Sequence, residues 1–199
     1  LDAEPERIDN ALAAMPLPPR PGLRVPGSFD GFETAVRIVL GQQVTVQAAR
    51  TLTHRLIERF GRPVDTPFAG LTRLFPVAEA IATASADAIG SLGIVRQRVG
   101  ALQALARAVH DGQIELHRAA PLDDTLAQLR ELPGIGEWTA QLVAMRVLAW
   151  PDAFPASDIG ILNALHTRDP KAALALAQPW QPWRSYAVMR LWLALEETP

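Results

Sequence analysis

Two short stretches hold residues whose types and spacing suit chemistry on an anion and on a developing cation. The first is Leu132-Pro133-Gly134-Ile135-Gly136, set between two segments of helical apolar periodicity. Pro133 lacks an N–H and stops the segment before it, while Gly134 and Gly136 reach backbone angles closed to other residues and let a second backbone come close. The segment that follows then opens with unpaired N–H groups at the positive end of a helix dipole, an anion site that needs no lysine. On this reading the N–H groups of Ile135, Gly136 and the next turn point outward, and Gly134, Ile135, Gly136 and Thr139 grip a phosphate. The same stretch also reads as a tight hairpin that binds nothing.

The second stretch is Pro155-Ala156-Ser157-Asp158-Ile159. Asp158 precedes a segment of helical pattern, where aspartate commonly serves as an N-cap. A fixed carboxylate there can also stabilise positive charge in a transition state, or orient water. The two roles are compatible, because one oxygen can cap while the other faces a substrate.

The elements that must position these residues are helices. Apolar residues make up 49% and charged residues 20% of the 199, the composition of a globular rather than a disordered chain. No segment of useful length alternates with period two, so the expected fold is all-α, with about ten helices and short connections. A helical stretch near Pro5–Met15 precedes Pro16–Pro26, an extended run with five prolines. Ser28 or Asp30 then caps a helix with Phe32, Ala35, Val36, Val39 and Leu40 on one face. The next helix pattern runs through Val44, Ala48, Leu52, Leu56 and Phe60 to Gly61, and a loop follows over Pro63–Pro76. Short helices are expected near Val77–Ala84 and Ser85–Ser91, and a longer one from Ile94 to His110 with Val95, Val99, Leu102, Ala106 and Val109 in register. Leu122, Leu126 and Leu129 share a face before the Gly-rich break, and Trp138, Leu142, Met145 and Ala149 mark the helix after it. Further helices are expected at Ile159–Leu165, Lys171–Leu176 and Trp183–Leu195, with Trp180 and Trp183 structural.

Composition excludes several chemistries. The chain has no cysteine, so disulfides, Cys-ligated zinc and Cys-ligated iron–sulfur clusters are ruled out. His54, His110, His117 and His166 have no ligand-like spacing, and no catalytic metal is expected. There are 19 basic against 21 acidic residues, with pI near 6.1, which counts against broad charge-driven binding of a polyanion but not against a local site. Lys171 is the only lysine, so a lysine nucleophile is not expected. Arg96 and Arg98 read either as phosphate contacts or as solvated surface residues. No apolar run approaches the roughly 18 residues of a membrane span.

Leu132–Ala140 (LPGIGEWTA), followed by Asp158 beyond a Pro-containing loop, resembles the helix-hairpin-helix DNA glycosylases, and within them most the 3-methyladenine DNA glycosylase II group. Pro21–Phe32 (PGLRVPGSFDGF), Ile38–Val46 (IVLGQQVTV) and Pro182–Ala187 (PWRSYA) carry the same likeness, which spans about Pro21 to Leu195. The resemblance implies one helical unit over 1–199 with a cleft between two subdomains, 32–120 and 1–31 plus 121–199. The latter would hold the helix-hairpin-helix at 122–149 and the catalytic loop at 151–159. The N-terminal β-rich domain of larger members is absent from this sequence, as expected of a compact member or of one part of a longer protein.

The resemblance also implies an activity: flipping an alkylated purine, chiefly 3-methyladenine, out of double-stranded DNA and hydrolysing its N-glycosidic bond. Asp158 would be the catalytic carboxylate, set beside an oxocarbenium-like sugar. Bifunctional relatives place a Schiff-base lysine where this chain has Trp138, so a monofunctional enzyme is expected. Gln42 would lie near the base pocket and Gln43 would be the wedge, a polar departure from the apolar wedge of the nearest relatives. Trp138 and Trp192 would wall the pocket and stack on a cationic base. Leu142 and Ile159 stand where those relatives carry tyrosines, which makes the pocket less aromatic. The carbonyls of Arg130, Leu132 and Ile135 would hold a sodium or potassium ion bridging to a DNA phosphate, with no cofactor for catalysis. The implied protein is a monomer acting on damaged duplex DNA in a bacterial cytoplasm, at the nucleoid, with no membrane partner. Two alternatives stay open: a glycosylase for an oxidised or deaminated base, and a non-catalytic module that has no use for Asp158.

Overall fold

The computed structural model describes residues 4–196, of which Glu196 is described in its backbone only. These residues form eleven α-helices and one 3-10 turn, and their extended pairing is confined to a single bridge between Pro63 and Arg73. The helices are α1 (Pro5–Ala11), α2 (Gly31–Leu40), α3 (Val46–Phe60), α4 (Ala78–Ala82), α5 (Ala86–Gly90) and α6 (Arg96–His110). They continue with α7 (Leu122–Glu131), α8 (Glu137–Arg146), α9 (Ile159–Ala164), α10 (Pro170–Leu176) and α11 (Arg184–Glu196).

Local chemistry explains most of the boundaries. Asp30, Thr45, Ser85, Asp158 and Asp169 each accept a backbone N–H from the first turn of the helix they precede. Asp30, and not Ser28, caps α2; the Ser28 hydroxyl donates to the Asp30 carbonyl. The predicted apolar face of α2 is fully buried. Two expectations fail at helix starts. Val95 is 59% exposed because it is the N-cap of α6, so its side chain leaves before the helical register is set. Val44 likewise precedes α3, which Thr45 caps.

Packing brings distant segments together. α6 packs against α2, α4 and α5; α7 packs on α8; α9 packs on α10 and α11; and α2 packs on both α6 and α8. Arg190 on α11 is buried, donating to the Asp9 carboxylate and the Leu12 carbonyl, which ties α1 to α11.

The loop between α8 and α9 is held rigidly although it lacks regular structure. Ser185, fully buried, accepts the Ala153 N–H and donates towards the Trp150 and Ala153 carbonyls. The Gln141 carbonyl oxygen accepts the Phe154 N–H, and Arg184 grips Asp152 through two nitrogens at 2.7 and 2.8 Å. Ser185→Ala leaves the Ala153 N–H buried without a partner. The expected loss is about 1–3 kcal/mol, seen as a fall in Tm by circular dichroism; an unchanged Tm would mean the loop finds another acceptor.

Candidate active site

Asp158 is the point where three elements converge. Its Oδ1 accepts the Ile161 N–H at 3.1 Å, so it caps α9. The same oxygen accepts the Trp192 indole N–H from α11 at 2.9 Å. Oδ2 accepts the Trp138 indole N–H from α8, also at 2.9 Å. The residue is only partly buried, and its neighbour Ile159 is 72% exposed, so the carboxylate sits at an accessible surface.

This geometry constrains the chemistry. An ionised carboxylate offers about four lone-pair positions. Three are taken here, two on Oδ1 and one on Oδ2, so Oδ2 keeps a free position for a water or a cationic centre. Every partner is an N–H donor, so no carboxyl proton is needed to satisfy the set. An indole that donates in its own plane keeps its π-faces available, and both rings are only partly covered. Gly160 makes room for this arrangement. A Cβ there would stand 3.1 Å from both Asp158 Oδ1 and Trp192 Cδ1.

The hairpin lies at the start of the same α8. Gly134 has φ +77°, and a Cβ on it would come 2.9 Å from the Ala101 Cβ on α6. The turn is partly self-satisfied, which corrects the expected grip. The Ile135 N–H donates to the Leu132 carbonyl and is not free, and Ile135 itself is buried. Thr139 is also buried, with its hydroxyl accepting the Gln42 amide, so its side chain is no surface contact. Gly136 remains exposed at the start of α8 without a side-chain cap, and a Cβ there would meet nothing within 4 Å. The exposed residues that can offer backbone N–H groups at this helix start are therefore Gly136 and Glu137.

Gln42 and Gln43 part company. The Gln42 amide nitrogen donates to the Gly134 carbonyl and to Thr139 Oγ1, both at 2.9 Å, so the side chain braces the hairpin against the end of α2 and is not free to line a pocket. Gln43 is exposed with φ +52°, a left-handed conformation uncommon for a side-chain-bearing residue, and projects from the turn between α2 and α3. Arg98 is buried, with an Nη donating to the Gln42 carbonyl, and so supports this turn rather than a phosphate; Arg96 is exposed. Leu142 is buried in the core. Arg98→Met removes a charged donor worth about 1.5–3 kcal/mol. Amide exchange at Gly41 and Gln42, whose N–H groups donate to the Arg37 and Val39 carbonyls, is then expected to accelerate roughly tenfold or more, and unchanged exchange would show that Arg98 does not hold the turn.

Sequence reasoning missed the polar chain that fixes α8 to its neighbours. Arg130 pairs with Glu137 through two nitrogens at 2.6 and 3.0 Å, Glu137 accepts from Gln141, and Gln141 accepts from Phe154. The Arg130 hydrogen bond holds the Glu137 carboxyl below its usual range, against the opposing effect of burial. The i, i+4 spacing of Glu137 and Gln141 was a readable signal. Ser185, inside Pro182–Ala187, offered none. Among the described residues, no group of three His, Asp or Glu side chains could hold a metal ion.

The chain matches the family model described as HhH-GPD superfamily base excision DNA repair protein over residues 36–169. It is 41% identical over 205 residues to the probable bifunctional transcriptional activator/DNA repair enzyme AlkA of Mycobacterium tuberculosis, covering 98% of this chain and 41% of that protein. Thus the chain spans less than half the length of the mycobacterial relative. It is 34% identical over 192 residues to DNA-3-methyladenine glycosylase 2 of Escherichia coli, covering 96% of this chain and 67% of the relative. A Schizosaccharomyces pombe 3-methyladenine DNA glycosylase solved in complex with abasic DNA shares the fold, with TM-score 0.71 and 21% identity over 100% of this chain and 94% of that one. The match runs from within α2, through the hairpin and past Asp158, and it shows that the chain belongs to the HhH-GPD superfamily of base excision DNA repair proteins.

Proposed function

We propose that the chain is a monofunctional DNA glycosylase that flips alkylated purines, 3-methyladenine foremost, out of duplex DNA and hydrolyses their N-glycosidic bond. The observation that carries this reading is the Asp158 carboxylate: anchored by two indoles and a helix end, yet with one acceptor position open on Oδ2. Breaking the bond leaves positive charge on the sugar, and a preorganised carboxylate stabilises that charge without reorganising at the moment of reaction. The open Oδ2 position faces either the sugar cation or the attacking water. An alkylated purine is itself cationic, leaves readily, and stacks favourably on the indole of Trp138 or Trp192, a contact worth about 0.5–2 kcal/mol.

Gln43 is the wedge in this reading, presented by its left-handed backbone. The exposed start of α8 at Gly136 holds a DNA phosphate. The carbonyls of Arg130, Leu132 and Ile135 are neutral oxygen donors of the kind that suit sodium or potassium, and a cation there would add charge beside that phosphate. Hydrolysis needs no amine, in keeping with Lys171 as the only lysine of the chain. The protein acts as a monomer on damaged duplex DNA, in the bacterial cytoplasm.

The test is incubation with methylated duplex DNA and chromatography of the released bases. Release of 3-methyladenine with an intact strand before alkali is the expected result. Release of only an oxidised or deaminated base would change the substrate class, and no release would leave a binding module. A strand cut before alkali would contradict the monofunctional reading.

A further inference from the structure

At the other end of α8 lies a cleft of about 680 Å³ that the reading above does not use. Arg146 closes α8, nine residues beyond Glu137, which at a rise of 1.5 Å per residue is about 14 Å along the axis from the hairpin. One wall is the Pro-rich segment Arg24–Phe29, and the other is formed by the end of α8 with Trp150, Trp183 and Tyr186.

The cleft has an unbalanced composition. Arg24, Arg118 and Arg146 line it, and no acidic side chain does so among the described residues. This gathers three arginines at one place in a chain whose net charge is −2. Arg146 is the least satisfied of them: its Nε is buried and has no hydrogen-bond partner among the described residues. Burial also pushes its guanidinium below the usual range, with no opposing acid. The C-terminal end of α8 favours a cation nearby, but that field does not supply an acceptor to the buried N–H. The buried Nε is closed to a ligand, so an oxyanion in the cleft would meet the guanidinium through the other N–H groups of Arg146, a residue of the cleft lining.

Apart from Ser28, the remaining lining is apolar or aromatic. Trp150, Trp183 and Tyr186 are each only partly covered, and Phe29 at the rim is fully exposed. A volume of this size is in the range of small-molecule sites. An anion-seeking arginine beside stacking surfaces asks for an aromatic ring that carries a phosphate.

We propose that this cleft is a second ligand site, separate from Asp158, and that it takes a nucleoside monophosphate: the phosphate on Arg146, the base against the aromatic wall. Such a ligand can be free in solution or be the terminal nucleotide of a strand.

The test is calorimetric titration with deoxyadenosine monophosphate, inorganic phosphate and deoxyadenosine as separate probes, and then with a short oligonucleotide bearing a terminal phosphate. The mononucleotide is expected to bind saturably and more tightly than phosphate or deoxyadenosine alone. If the oligonucleotide binds tighter still, the strand end is the source; if weaker, the free nucleotide is. Arg146→Met is expected to weaken binding by about tenfold or more, the loss of a charged hydrogen bond. Arg146→Lys keeps the charge without the planar fork, and is expected to weaken it less. Base excision should be unchanged in both variants. Should Arg146→Met fail to fold by circular dichroism, Arg146→Lys decides alone. Absence of saturable nucleotide binding would overturn the proposal. So would binding that Arg146 variants leave intact, or displacement of the nucleotide by a duplex whose two ends are closed by hairpin loops and which carries an internal abasic site, which would put the nucleotide at Asp158.

Discussion

Asp158→Asn is expected to remove base excision while leaving the grip on DNA in place. Losing one preorganised charge-stabilising group typically lowers the rate on the order of 10²–10³-fold, and under the proposed function Asp158 is such a group. The amide also breaks the local pairing. Oδ1 and Oδ2 both accept indole N–H groups, and an asparagine nitrogen can accept neither. One of Trp138 and Trp192 must therefore lose its partner, at about 1–3 kcal/mol of stability. Single-turnover excision and binding to an abasic duplex, measured side by side, separate the two effects. Near-normal excision by the variant would remove Asp158 from the reaction, and loss of both activities together with a collapsed Tm would make it a purely structural cap.

The two hairpin glycines are expected to respond oppositely to the same methyl group. Gly134 combines φ +77° with a backbone wedged against Ala101. Alanine there costs roughly 1–2 kcal/mol for the left-handed conformation, and a further 1–3 kcal/mol for overpacking against a buried helix face. Gly134→Ala should therefore lower the Tm and displace the hairpin, with DNA affinity falling as a consequence. Gly136 has φ −94° and ψ −178°, which any residue adopts, and open space where a Cβ would stand. Gly136→Ala should leave stability within about 0.5 kcal/mol of the parent. Only something arriving from outside would meet the methyl group. Affinity for an abasic duplex is expected to drop by an order of magnitude while the Tm holds, and an unchanged affinity would move the phosphate contact away from this turn.

The contrast shows what one-dimensional reading could and could not reach. Helix positions were readable because caps and apolar faces are local. Asp30, Thr45 and Asp158 each act within three residues of themselves, and Phe32 to Leu40 turn a single face inward. The Gly-rich turn and the aspartate were readable as a pair because residue type and spacing together are restrictive. The side chains that hold the site in shape were not. Gln42 reaches Gly134 and Thr139, Arg98 reaches back to Gln42, and Ser185 pins Ala153. In a sequence such polar residues look like surface, and what makes them interior is a partner 32 to 97 positions away. Ile135 misled for the opposite reason: its N–H is claimed within the turn itself, by Leu132.

The cross-bracing of that turn has a thermodynamic consequence. Gln42, Ile135 and the packing of Gly134 on α6 fix its shape before any DNA arrives. Association then freezes little additional motion, so most of the interaction enthalpy is retained as affinity rather than offset by ordering. The heat capacity change on complex formation should follow the apolar area covered, without the larger negative increment that accompanies folding upon contact.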